Sequence, residues 1–231
     1  MMRKSKLLFL VLLCFAAINV RAQAKLPIVI EIVYPGGNAE YDKLISFCGS
    51  QQFIDANDIY SWKNHFVIYG KGYERFYPKV KAAFKDCKVK LYDKPFYDFE
   101  RTKCSDKTVA KQWDNIILTA NLVKSPKLQQ EYLNYHKTQF EKWPEVSQGF
   151  CNASFQQLLV FRNGRQLMLI ISIPKGESLD KLNPLTTKNN PRVDEWNKIM
   201  AKYQEGIEGT AKNETWVFLK PYNQTDHINH K

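Results

Sequence analysis

Two apolar runs, Phe155 to Phe161 and Leu167 to Ile173, flank the tetrapeptide Arg162-Asn163-Gly164-Arg165. Asn-Gly is the strongest short signal for a tight β-hairpin, so the runs read as adjacent antiparallel strands. What surrounds the hairpin limits the fold further. Ile116 to Leu122 is an apolar run that reads as an earlier strand, and Glu131 to Glu145 is an amphipathic helix. After the hairpin, Asp194 to Met200 has helical spacing and Thr215 to Leu219 reads as a closing strand. The order β-α-β-β-α-β is that of a ferredoxin-like unit, an α+β class in which helices cover one face of an antiparallel sheet.

The first of these helices carries the chemistry. Tyr132 and His136 are four residues apart, a spacing that stacks a phenol and an imidazole on one helical face. His136 is one of four histidines in the chain. An imidazole titrates near neutrality and can therefore give or take a proton with little tuning. Trp143-Pro144-Glu145 follows, where proline must break or kink the helix.

This order of elements, with Tyr132-x-x-x-His136, Trp143-Pro144-Glu145 and Trp196, resembles the L-rhamnose mutarotase family over about residues 114–222. The resemblance implies a dimeric α/β barrel fold, with His136 as the proton-transferring group and Tyr132 and Trp196 as substrate contacts. Tyr135 is added as a further contact to sugar hydroxyls. Two family positions differ here: Asn197 stands where a second tryptophan is expected, and Leu158 where a tyrosine is expected. The implied reaction interconverts the α and β anomers of L-rhamnose or a related reducing sugar, an isomerase chemistry that needs no metal and no organic cofactor. The competing reading is a non-catalytic module that binds a sugar or another small ligand on the same fold.

The first half repeats the element order. Pro27 to Tyr34 reads as a strand, Ala39 to Phe47 as a helix, and Asp58 to Trp62 with His65 to Tyr69 as two strands. Tyr73 to Lys85 then has helical spacing, Val89 to Tyr92 closes as a strand, and Pro95 to Arg101 reads as linker. His65 alternates with Phe66 and reads as an outward strand residue. Aligned helix to helix, Glu40-Tyr41 falls on Glu131-Tyr132, but Ile45 falls on His136. The duplication predicts two ferredoxin-like halves, 25–106 and 107–222, packed as a fused dimeric barrel with one equipped site. Face to face, two such sheets would bury their bare faces, and the chain would be a monomeric pseudo-dimer.

The ends of the chain read differently. Residues 1–24 look like an export signal, with Arg3, Lys4 and Lys6 ahead of the apolar Leu7 to Val20 and an Ala22-Gln23-Ala24 cleavage site. That predicts a periplasmic or extracellular protein with no stable membrane insertion, since the apolar run falls short of about 20 residues. Residues 223–231 form a polar tail containing His227 and His230. Removing Arg3, Lys4, Lys6 and Arg21 with the signal lowers the formal charge from +11 to +7. The remaining lysines are scattered, with no nucleic-acid-binding motif, so the expected partner is a small monosaccharide and no nucleic acid. Cys48, Cys87, Cys104 and Cys151 read equally as buried free thiols or as disulfides in one of three pairings; if two pair, Cys87–Cys104, flanking one short segment, is the first choice.

Overall fold

A computed structural model describes residues 26–36, 41–51 and 54–222, so the segments expected to be an export signal and a polar tail lie outside the described residues. The first half runs β1 (Ile28–Val33), α1 (Tyr41–Ser50), β2 (Ile59–Trp62), β3 (His65–Gly70), α2 (Tyr77–Ala83) and β4 (Lys88–Tyr92). After β5 (Tyr97–Glu100) come β6 (Trp113–Leu122), α3 (Pro126–Lys137), α4 (Gln139–Lys142) and α5 (Pro144–Asn152). The hairpin is β7 (Gln157–Asn163) and β8 (Gln166–Pro174), followed by the short helices α6 (Leu179–Leu182) and α7 (Pro184–Thr187). The chain finishes with α8 (Pro191–Ala201), β9 (Gln204–Glu205) and β10 (Val217–Pro221).

The strands join in the order β4-β1-β3-β2-β10-β6-β8-β7-β5, with β9 beside β6. Every pairing is antiparallel. Numbering each half's four main strands separately gives the same succession, fourth-first-third-second, which is the order of a ferredoxin-like sheet. The hairpin pairs Asn163 with Gln166, so its two central residues are Gly164 and Arg165. Gly164 takes a φ of 61°, which an L side chain tolerates poorly and glycine does not resist.

Strand alternation sorts side chains into three cores. In β1, Ile28, Ile30 and Ile32 face the layer of α1 and α2, while Val29 faces the other way. In β8, Leu167, Ile171 and Ile173 join the α3, α5 and α8 layer, while Met168 and Ile170 turn from it. The third core therefore unites the two halves: Val29, Tyr69 and Tyr92 pack with Phe161, Met168 and Ile170. Beyond these hydrophobic contacts, Asn163 Nδ2 donates to Leu91 O at 3.0 Å, tying the end of β7 to β4.

Four expectations are corrected. The segment 95–101, read as linker, contains β5, whose Tyr97 and Phe99 alternate with Asp98 and Glu100 and pair against Val160 and Leu158. It covers the edge that β7 would otherwise expose, so the second sheet takes a strand from ahead of residue 107. The expected helix 131–145 ends at Lys137, and α5 restarts at Pro144. His65 is not outward: it is buried, with Nδ1 2.7 Å from Glu31 Oε1. Finally, the disulfide joins Cys104 to Cys151 and not to Cys87. Cys87 packs on the core beneath α1 and α2, whereas Cys104 belongs to the core beneath α5. Nearness in sequence could not bring thiols in two different layers together.

The disulfide closes a separation of 47 residues, for which chain entropy gives a stabilisation of about 4 kcal/mol. Urea unfolding of the oxidised chain and of a Cys104→Ala/Cys151→Ala variant should differ by about that amount. An unchanged midpoint would mean the bond constrains nothing.

Candidate active site

Helix α3 starts where Ser125 accepts the Leu128 N–H and Pro126 occupies the first turn, which costs no hydrogen bond there. From that start, Tyr132 and His136 fall on the buried face, their rings 4.3 Å apart. The imidazole is held by its own helix. His136 Nδ1 lies 3.0 Å from Tyr132 O, and a carbonyl can only accept, so Nδ1 carries the proton. Nε2 is then the lone-pair nitrogen, with no protein partner among the described residues. Burial drives the imidazole down to about 4, offset only in part by the bond to Tyr132 O. His136 is therefore neutral at neutral pH and poised to accept a proton.

Aromatic rings wall the imidazole. Tyr97, Phe96 and Trp196 stand edge-on to it, with centroids at 5.3, 5.6 and 5.3 Å. Tyr97 arrives on β5 and is fixed by donating to Gln139 Oε1 at 2.5 Å. Gln139, fully buried, in turn donates to Trp143 O at 2.6 Å. The Trp143-Pro144 break is thus bound into the site's frame, with Arg192 stacked 3.8 Å over the Trp143 ring. On the other side, Gln204 Nε2 donates to the Tyr132 hydroxyl at 3.2 Å, and Trp216 Nε1 donates to Gln204 Oε1 at 3.1 Å.

These groups border a cavity of about 340 Å³ between the second sheet and α3, α5 and α8. His136, Tyr132 and Trp196 all line it, as do Leu158 and Asn197, the two positions where a tyrosine and a second tryptophan are expected. Its depth is apolar, formed by Phe155, Leu158, Leu169, Ile171 and Met200; the exposed Asn183 and Asn197 stand at its rim. Tyr135 is outside the lining. One residue before His136, it points about 100° around the helix and packs against Trp143, Trp196 and Tyr203. Glu131 also faces away, within 3.4 Å of the Tyr203 hydroxyl. Sequence reading missed Tyr97, Gln204 and Trp216. Only Tyr97 left a trace, in the Tyr-Asp-Phe-Glu alternation of β5.

The hydroxyl inventory is complementary. Tyr132 OH accepts from Gln204, so its own proton is available to a ligand, whereas Tyr97 OH spends its proton on Gln139 and offers lone pairs. Burial raises both phenols far above their ordinary range, so both are neutral. The arrangement presents one base, one donor and one acceptor around a mostly apolar space.

Fold and site define the second half as an α+β domain with a neutral histidine in a small pocket under its helices. Residues 115–224 match the L-rhamnose mutarotase family, and the stretch includes His136 on the cavity wall. An L-fucose mutarotase of Xanthomonas campestris pv. campestris is 29% identical over 87 residues, covering 37% of this chain and 67% of that protein. A Dictyostelium discoideum protein named only by a family number is 27% identical over 106 residues, covering 44% of this chain and 78% of that one. A crystal structure from Fusobacterium nucleatum superposes at a TM-score of 0.42 with 11% identity, spanning 86% of this chain and 92% of that one. That likeness is too distant to bear on chemistry.

Proposed function

We propose that the protein interconverts the α and β anomers of a deoxyhexose such as L-rhamnose or L-fucose, at one site in its second half. The observation that carries this reading is the tautomer of His136, whose bond to Tyr132 O leaves a basic Nε2 on a cavity wall. In the reaction Nε2 takes the proton of the anomeric hydroxyl as the ring C–O bond breaks, and the ring oxygen is protonated. The open aldehyde turns about its C1–C2 bond, and closure reverses both proton transfers. The same imidazole serves as base and then acid. Tyr132 donates to a sugar oxygen, Tyr97 accepts from a sugar hydroxyl, and Trp196 covers the C–H face. A volume of about 340 Å³ lies at the small end of the ~300–1,000 Å³ range of ligand pockets, fitting a monosaccharide. The apolar depth favours a sugar bearing a methyl group over one with a hydroxymethyl there.

Among the described residues the first half has no counterpart of this site: Ile45 stands at the aligned position and packs on the α1–α2 core. We read the two halves as a fused barrel, the second taking β5 from ahead of residue 107, in a single exported chain acting as a monomer. The shared inner core and the Asn163–Leu91 bond support that reading. The binding-module alternative draws on Leu158, an apolar wall of the cavity where the family resemblance implies a tyrosine hydroxyl.

Saturation-transfer NMR of anomer exchange decides between them. The purified chain should accelerate exchange of L-rhamnose or L-fucose above buffer, and more than it accelerates glucose. Sugar binding with no acceleration would establish the binding module instead.

A further inference from the structure

At the end of the interface between the two halves lies a second and larger cleft, of about 830 Å³, remote in the fold from His136. Beneath it sits Glu31, fully buried on the inner face of β1. Four groups converge on its carboxylate: His65 Nδ1 at 2.7 Å, Tyr92 OH and Gln166 Nε2 at 2.8 Å, and Lys90 Nζ at 2.9 Å. Gln166 comes from the second half, so the knot straddles the interface, and its Nε2 also reaches Thr119 Oγ1 at 2.9 Å. Burial raises the carboxyl, but the His65 bond and the Lys90 charge outweigh it and hold Glu31 at about 2.

A charged carboxylate against Nδ1 fixes the ring of His65, as a second partner orients a working imidazole. His65 borders the cleft, and its Nε2 has no protein partner among the described residues. Around it stand Lys63, Lys88, Lys90 and Arg165, against one lining carboxylate, Glu208. Lys90 and Arg165 are paired with Glu31 and Glu205. Lys63 bonds only a carbonyl, Gly209 O, besides resting on the Trp62 ring, and Lys88 has no partner among the described residues. Two cations are thus left for an oxyanion. Three asparagines complete the lining. Asn64, Asn121 and Asn163 each donate Nδ2 to a main-chain carbonyl, of Tyr34, Gly206 and Leu91, which pins the amide and leaves Oδ1 to accept from a hydroxyl.

We propose that this cleft is a second ligand site, taking a small hydroxylated carboxylic acid of the sugar-acid class. Lys63 and Lys88 hold its carboxylate, the asparagine oxygens its hydroxyls, and His65 Nε2 one of its polar hydrogens or oxygens. A merely structural Glu31 knot would account for the buried ion pair but not for unpaired lysines and pinned amides around an open cleft. The site is independent of the mutarotase reading and stands or falls without it.

The test uses the full chain with D-glucuronate as probe and D-glucose and inorganic phosphate as comparators. Calorimetry should show one-site glucuronate binding, at least tenfold tighter than either comparator, with the side-chain nitrogen resonances of His65 shifting and those of His136 unmoved. Lys88 is exposed, so Lys88→Gln should leave the fold intact; it should weaken glucuronate about tenfold, the loss of one charge-assisted contact. Phosphate binding as tightly as glucuronate would overturn the hydroxyl recognition. A response at His136 rather than His65, or an unaffected Lys88→Gln, would overturn the site.

Discussion

Replacing His136 by Asn is expected to remove roughly 10²- to 10⁴-fold of the accelerated anomer exchange, the usual worth of a positioned general acid–base group. Asn keeps a polar group of similar reach, so the packing against Tyr97 and Trp196 should survive. The pH profile separates chemistry from structure. Because burial places the imidazole at about 4, activity should stay level as pH falls through 6.5 and decline only near 4. An ordinary surface histidine would lose activity two units earlier. Stability should follow the same group. A histidine whose folded value is depressed binds its proton more readily when unfolded. Its contribution is therefore complete above about 6.5 and is lost as pH falls from there to about 4. By linkage that contribution is about 3 kcal/mol. Denaturant melts of wild type and His136→Asn at pH 7 and pH 4.5 read it directly, and the variant should lack this part of the acid sensitivity. Equal exchange rates in the two proteins would remove His136 from the mechanism.

Glu31→Ala is expected to cost about 3–5 kcal/mol, since deleting the one carboxylate of a buried charged network leaves its cation uncompensated. Lys90, His65, Tyr92 and Gln166 all lose their shared acceptor. The pH dependence runs in the same direction as that of His136 but in a lower window. With Glu31 depressed from 4.5 to about 2, its contribution is present above 4.5 and disappears as pH falls toward 2. Urea unfolding at pH 7 should show the loss, and the variant should be flat across pH 4.5 to 2 at this site. Because Gln166 ties the knot to the second half, the transition should remain single in wild type and broaden or split in Glu31→Ala. A variant as stable as wild type would mean the network offsets its own desolvation and no more.

Much of the fold is legible in local pattern. The apolar runs at 28–33, 65–70, 116–122 and 157–173 carry enough β-branched and aromatic residues to be strands, and Gly164 marks where the hairpin turns. The Tyr132–His136 pair is legible because helical spacing is short-range: any helix there must put both rings on one face. Trp196 is readable for the same reason.

What escaped the sequence depends on distant neighbours. Residues 97–100 are a strand because β7 offers them an open edge, and no property of four residues announces that edge. Tyr97 consequently entered the site unnoticed. The disulfide follows the layering of two cores, so the nearer cysteine lost to Cys151. His65 and Glu31 lie 34 residues apart and look like ordinary strand positions; only the meeting of the two sheets, which denies both of them water, turns them into a charged pair. The chain by itself set most of the elements, their repeated order and the histidine-bearing helix, because those rest on local pattern a few residues long. The tertiary structure alone decided the tautomer and acidity of His136, the cavity around it and the polar knot between the halves, because burial and long-range hydrogen bonds exist only once the sheets have packed.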